Sequence, residues 1–109
     1  MAEEQNLEAI MGLIINGGNA KSSSMEAIMA AKKGDFETAA AKLAEADAAL
    51  SEAHNSQTDM LTKEASGDHM QVTLLTVHSQ DHLMNAITFR DLADEVVDVY
   101  KKMAGVPVD

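Results

Sequence analysis

Residues 77–84, "VHSQDHLM", set two imidazoles and a carboxylate into an otherwise apolar helical pattern. His78, Asp81 and His82 stand at i, i+3 and i+4, so on a helix they share roughly one face. Three chemistries suit that trio: a metal site, a reactive histidine with an accessory group, or a hydrogen-bonded polar core in which Gln57 and the two histidines satisfy one another. A zinc site needs more ligands than this, and Glu52 and Glu64 stand at no recognised ligand spacing. Asp81 is the most telling of the three, because it interrupts the apolar line Leu74, Val77, Met84. A carboxylate buried there must be protonated, paired or metal-bound.

The elements that position this trio are helical. The 109 residues contain one proline, six glycines, no cysteine and 3% aromatic residues, which favours a single all-α domain and excludes disulfide or thiol chemistry within the chain. Eighteen acids against eight Lys/Arg give a formal charge of −10, which argues against nucleic acid and anionic membrane surfaces as partners. No apolar run reaches the ~18 residues of a membrane span, and "MAEEQNLEAI" carries acid where a signal peptide carries base. A cytoplasmic protein with no direct membrane insertion is expected. The Ala-rich run "GDFETAAAKLAEADAAL" looks like part of a tetratricopeptide repeat, but no second copy stands at a 34-residue spacing.

Periodicity predicts helices over roughly 4–32, 36–65 and 69–104, broken at "KKGD" and "SGD", with "GVPVD" as a flexible tail. The first follows Leu7, Met11, Ile14, Gly18, Met25 and Ile28/Met29; the second follows Phe36, Ala40, Leu43, Leu50, His54, Gln57 and Leu61. The third carries two lines, Leu74-Val77-Asp81-Met84-Thr88 and Leu75-His78-His82-Phe89-Val96-Tyr100. An apolar sector that wide implies a second burial, against copies of the same helix. Symmetry would then bring Asp81 residues together at an axis, where a cation or shared protons are required.

Counting outward from the turns at about 1.5 Å per residue puts His54, His78 and the Asn16-Gly17-Gly18 segment at one level, with Gln57, Asp81 and His82 nearby. Gly17-Gly18 reads first as a close helix crossing or a slight kink, and second as room for a partner's backbone to reach the histidine. On this count His78 lies about ten residues into its helix, out of reach of the helix N-terminus. His82, one turn on, is then the group to donate a hydrogen bond. His54 or Gln57 is a candidate to orient His78 by fixing its tautomer.

Four segments, "MGLIIN" at 11–16, "AKKGDFETA" at 31–39, "AHNSQTDML" at 53–61 and "VHSQDHLM" at 77–84, resemble the lactose/cellobiose-specific enzyme IIA of the bacterial sugar phosphotransferase system. The resemblance runs from about Leu7 to Met103. It implies an antiparallel three-helix bundle assembling as a homotrimer, which takes a phosphoryl group from phospho-HPr and gives it to a cysteine of enzyme IIB. His78 matches the phosphorylated histidine, and His82 and Gln80 match its neighbours. Asp81 matches the residue that meets its symmetry mates around a metal ion, with Mg2+ the expected divalent cation. The sugar is left open among lactose, cellobiose and chitobiose types. Two other readings remain. The phosphotransfer domain of two-component pathways shows "HxLKG", whereas "SQDHL" follows His78 here. A trimeric helical binding or scaffold protein with a structural metal would have no chemistry at all.

Overall fold

The computed structural model describes residues 2–108, with side chains from residue 6 onward. Three helices run α1 Ala2–Lys32, α2 Phe36–Ala65 and α3 Leu74–Met103, and no strand occurs among the described residues. They form an elongated all-α bundle of 54 × 20 × 19 Å in which α1 packs extensively on both others, while α2 and α3 meet more sparingly.

Local chemistry fixes the helix ends. After Lys32 the chain turns through Gly34 at φ +83°, a left-handed conformation that costs glycine little. There the Gly34 N–H donates to Ala31 O at 2.9 Å and the Asp35 N–H to Ala30 O at 2.9 Å, closing orphan carbonyls of α1. Asp35 then caps α2, its Oδ1 accepting from the Thr38 N–H at 3.1 Å. Gly67 ends α2 in the same way, with Asp68 N–H donating to Lys63 O.

Hydrogen bonds from Thr38 hold the Asp35 carboxyl below its ordinary pKa. A lowered folded-state value makes the charged cap stabilising above the unfolded pKa of about 3.9 and loses that stabilisation as pH falls through the folded value. Asp35→Ala is therefore expected to lower the melting temperature at neutral pH. The gap from the parent should narrow steadily as the pH is taken below about 4, and thermal melts across that range check it. A gap that widened in acid would rule out the charged cap.

The third helix begins five residues later than the periodicity suggested. Residues 68–73 lie outside any helix, because Thr73 is extended and its Oγ1 caps α3 by accepting from the Thr76 N–H at 3.2 Å. The Thr76 hydroxyl donates to Gln71 O at 3.4 Å, and His69 Nδ1 sits 2.9 Å from Glu64 Oε2, tying the strap back to α2.

The core is a seam of small residues. On α1 the buried positions are Ile10, Leu13, Gly17, Ala20, Ser24, Ala27 and Ala31, alternating steps of three and four as in a coiled coil. Facing them are Ala39, Leu43, Ala46 and Ala53 of α2, and Ser79, Leu83, Ala86, Ala93 and Val97 of α3. Apart from Leu43, the predicted stripes lie beside this seam rather than on it. Leu7, Met11, Met25 and Met29 of α1 are exposed, as are Ala40, His54 and Leu61 of α2. Small side chains let the helix axes approach closely, so burial falls on the alanines and the large residues are left at the edges. Arg90 reinforces the thinner α2–α3 contact. Its Nε stands 2.6 Å from Asp47 Oδ1, and Nη2 donates to Asp47 Oδ2 at 2.9 Å. Burial alone would lower the Arg90 pKa; Asp47, with Asp94 and Asp91, more than offsets it and holds the guanidinium above its ordinary value.

Candidate functional site

With α3 starting at Leu74, His78 is its fifth residue, not its tenth. The expectation that the helix N-terminus lies out of reach is thereby corrected. Four residues at about 1.5 Å each place His78 only ~6 Å along the axis from the helix start. Side chains on a helix also tilt toward its N-terminus. The positive end of the macrodipole and the first-turn N–H groups therefore favour negative charge near this imidazole.

His78 is exposed and His82 half-buried, and both lie on one side of α3. Their ring centroids are 5.2 Å apart with planes at 78°, an edge-to-face arrangement. His82 rests against the middle of α1. A Cβ added at Gly17 would come within 3.4 Å of both His82 Nδ1 and the His82 carbonyl oxygen, and one at Gly18 within 3.9 Å of His82 Cε1. The diglycine thus marks a close helix crossing, as expected, and the neighbour it admits is the second histidine.

The single polar layer expected from counting forms only in part: Gly17, Gly18, His78 and His82 come together, but His54 stands apart. Gln57 of α2 reaches Gln80, its Nε2 donating to Gln80 Oε1 at 2.8 Å. Ala53 packs with Leu83, so His54 stands level with Leu83 rather than with His78, and is exposed. The reason is the strap: counting assumed helical rise through residues 69–73, whereas these residues cross the end of the bundle and slide the α3 register against α2. Neither proposed orienting residue is seen on the His78 ring; the Gln57 amide nitrogen is engaged by Gln80.

Asp81 is exposed on the single chain and accepts at Oδ1 from Asn85 Nδ2 at 3.1 Å. Around it Leu74, Val77 and Met84 are 86%, 52% and 52% exposed, and Leu92 and Val99 continue the same face of α3. Large apolar side chains left uncovered along one helix face are what the double stripe implied. Among the described residues, no three His, Asp or Glu side chains of one chain converge as a metal site. Asp81 offers one carboxylate, so a cation there needs further copies of the chain.

Sequence reasoning missed three supporting residues. Thr73 caps the helix, Ser79 is buried with its hydroxyl donating to Thr76 O at 2.7 Å, and Asn85 holds Asp81. The i, i+4 spacing of Asp81 and Asn85 was a usable signal. The Thr73/Thr76 pair, an ordinary capping pattern, was another.

No helix of the chain is long and apolar enough to cross a membrane, among the residues described. A profile described as "PTS system, Lactose/Cellobiose specific IIA subunit" matches residues 8–101. The lichenan-specific phosphotransferase enzyme IIA component of Bacillus subtilis is 49% identical, over 92% of this chain and 91% of its own. The N,N'-diacetylchitobiose-specific EIIA component of Escherichia coli K12 is 41% identical, over 92% of this chain and 86% of its own. Among solved structures, the cellobiose-specific enzyme IIA from Bacillus anthracis superposes with a TM-score of 0.88 at 43% identity, over 90% of each chain. IIA(Chitobiose) in its complex with HPr, from Escherichia coli, gives 0.78 at 40% identity, over 89% of this chain and 94% of that one. With this coverage and these identities the chain belongs to the lactose/cellobiose-specific IIA family, phosphotransferase components of the bacterial sugar phosphotransferase system.

Proposed function

We propose that this chain is a phosphocarrier that takes a phosphoryl group from phospho-HPr onto His78 and passes it to a cysteine of enzyme IIB during uptake of a β-linked disaccharide. The observation that carries this reading is the His78 ring itself, exposed on the helix surface and set edge-to-face with a second imidazole 5.2 Å away. An exposed imidazole with apolar neighbours Leu74, Leu75 and Val77 suits a protein-borne donor and acceptor better than a free small molecule. The complex of IIA(Chitobiose) with HPr supports HPr as the donor.

In the first step a ring nitrogen of neutral His78 attacks phosphorus. A new N–P bond forms as the donor N–P bond breaks, and its electron pair returns to the donor imidazole. Each ring keeps the proton on its other nitrogen. In the second step a thiolate attacks, an S–P bond forms and the pair returns to His78. Such transfers demand in-line placement and stabilisation of spread negative charge more than covalent help. The nearby start of α3 and an N–H of His82 supply that stabilisation, while Gln80, two residues on from His78 and so on another side of the helix, is bonded to Gln57.

The reading includes a homotrimer built on the exposed α3 face. Asp81 would lie in that seam, and its free carboxylate oxygen fits a divalent cation, Mg2+ by its preference for oxygen ligands, shared between copies. There the cation would neutralise converging charge and take no part in transfer.

Incubation with enzyme I, HPr and labelled phosphoenolpyruvate tests the reading. The expected result is acid-labile, alkali-stable label on His78 that is discharged on adding enzyme IIB. A trimer that takes up no label would instead support a scaffold role.

A further inference from the structure

Glycine in mid-helix is a loss relative to alanine, and α1 contains three. Gly12 has open space where a side chain would go, with nothing within 4 Å. Gly17 is different. It is buried, and a Cβ there would touch both the ring and the backbone of His82 at 3.4 Å. The contacts are also directional: Gly17 faces Nδ1, and Gly18 faces Cε1. The Nδ1–Cε1 edge of His82 therefore lies on the diglycine, which leaves Nε2 beyond it on the ring.

We propose that Gly17 and Gly18 form a seat that selects Nε2 of His82 as the nitrogen that donates to the phosphoryl group on His78, which makes Gly17 a positioning residue. The inference rests on the phosphocarrier reading above. It asks nothing of His82 but a hydrogen bond: Nε2 keeps its proton, and no bond to His82 forms or breaks. The edge-to-face angle of 78° keeps the two rings from stacking, so that a donor on one can address a group attached to the other. The carbonyl contact at Gly17 adds a second constraint. Because the α1 backbone meets the backbone of α3 as well as the ring, the seat is set by helix spacing and cannot be re-formed by a change of rotamer alone.

The two nitrogens can be told apart by isosteric amides. In His82→Gln the amide nitrogen takes the place of Nε2, and in His82→Asn that of Nδ1. With phospho-HPr as donor and label uptake followed in time, His82→Gln is expected to retain transfer within about 10-fold of the parent, and His82→Asn to fall about 100-fold. Gly17→Val, whose methyls must enter the space of the ring edge, should slow transfer by ~10- to 100-fold and alter the 15N signature of the His82 ring. Valine is the better helix former of the two, so weakened helicity does not account for that loss. Gly12→Ala should change neither readout. Combined with His82→Asn, Gly17→Val should add no further slowing.

A His82→Asn protein as fast as His82→Gln, or a full Gly17→Val effect persisting in the His82→Asn background, would overturn the assignment. Should Gly17→Val not fold by circular dichroism, the Gln/Asn comparison decides alone. If the parent itself takes up no label, the phosphocarrier reading fails first; if the parent is labelled and only the order of Gln and Asn is reversed, the seat alone is wrong.

Discussion

His78→Gln is expected to take up no phosphoryl group from phospho-HPr, while remaining as helical and as assembled as the parent. The amide is no nucleophile, so nothing at this position remains to accept the group. Loss should be complete at the sensitivity of the label. Stability should hardly change: His78 is exposed, glutamine is a good helix former, and such surface changes lie within about 0.5 kcal/mol. Label uptake, circular dichroism and sedimentation equilibrium on the same preparation check all three statements. A labelled His78→Gln protein would transfer the carrier role to another histidine, with His82 the first to test.

Asp81→Leu is expected to remain trimeric, melt no lower than the parent and lose any sensitivity to chelators. In a trimer built on the exposed α3 face, three Asp81 carboxylates would converge in a seam otherwise formed by Leu74, Val77, Met84, Leu92 and Val99. Burying charge costs several kcal/mol per ion before compensation, and exchanging buried charge for packed hydrocarbon is often neutral or stabilising by ~1–4 kcal/mol. On the single chain Asn85 is exposed, so the amide that loses Asp81 as its partner is solvated there. Transfer to His78 should survive, since the Asp81 carboxylate is bonded to Asn85 and serves as neither acid nor base in the transfer. Analytical ultracentrifugation, thermal melts with and without chelator, and label uptake provide the checks. A monomeric Asp81→Leu protein would make the cation the bond that holds the assembly together; a folded trimer that takes no label would move Asp81 into the chemistry.

The contrast between what these residues disclosed in one dimension and what they concealed has physical causes. Helix α2 was legible to the residue, 36–65, because its ends are set by short-range chemistry: Gly34 with Asp35 before it, Gly67 after it. The start of α3 was misjudged where two capping signals compete. Asp68 follows a turn, but Thr73, extended and bonded to Thr76, prevails five residues later. That shift carried through to the site, moving His54 away from His78 and bringing His78 near the helix start. The surplus apolar line of α3 is exposed on the single chain, whereas the buried seam was missed. Weighing positions by side-chain size leads to Met11 and Met25, and the close crossing is made by Gly17, Ala20 and Ala27. The relation of His82 to Gly17 is tertiary, between residues far apart in sequence, and only the register of α1 on α3 reveals it.

The unequal links between helices, a tight turn after α1 and a longer strap after α2, also order events during synthesis. Helices α1 and α2 leave the ribosome first, and their short turn lets them close into a hairpin through local contacts before α3 exists. The face that this nascent hairpin keeps for α3 is lined mainly with small residues, which offer little adhesive surface. Helix α3 then brings the missing side of the seam and the outward apolar face together. In a trimer built on α3, a chain stalled before Leu74 would lack the face through which copies join, and assembly would be confined to protomers whose third helix has already been made.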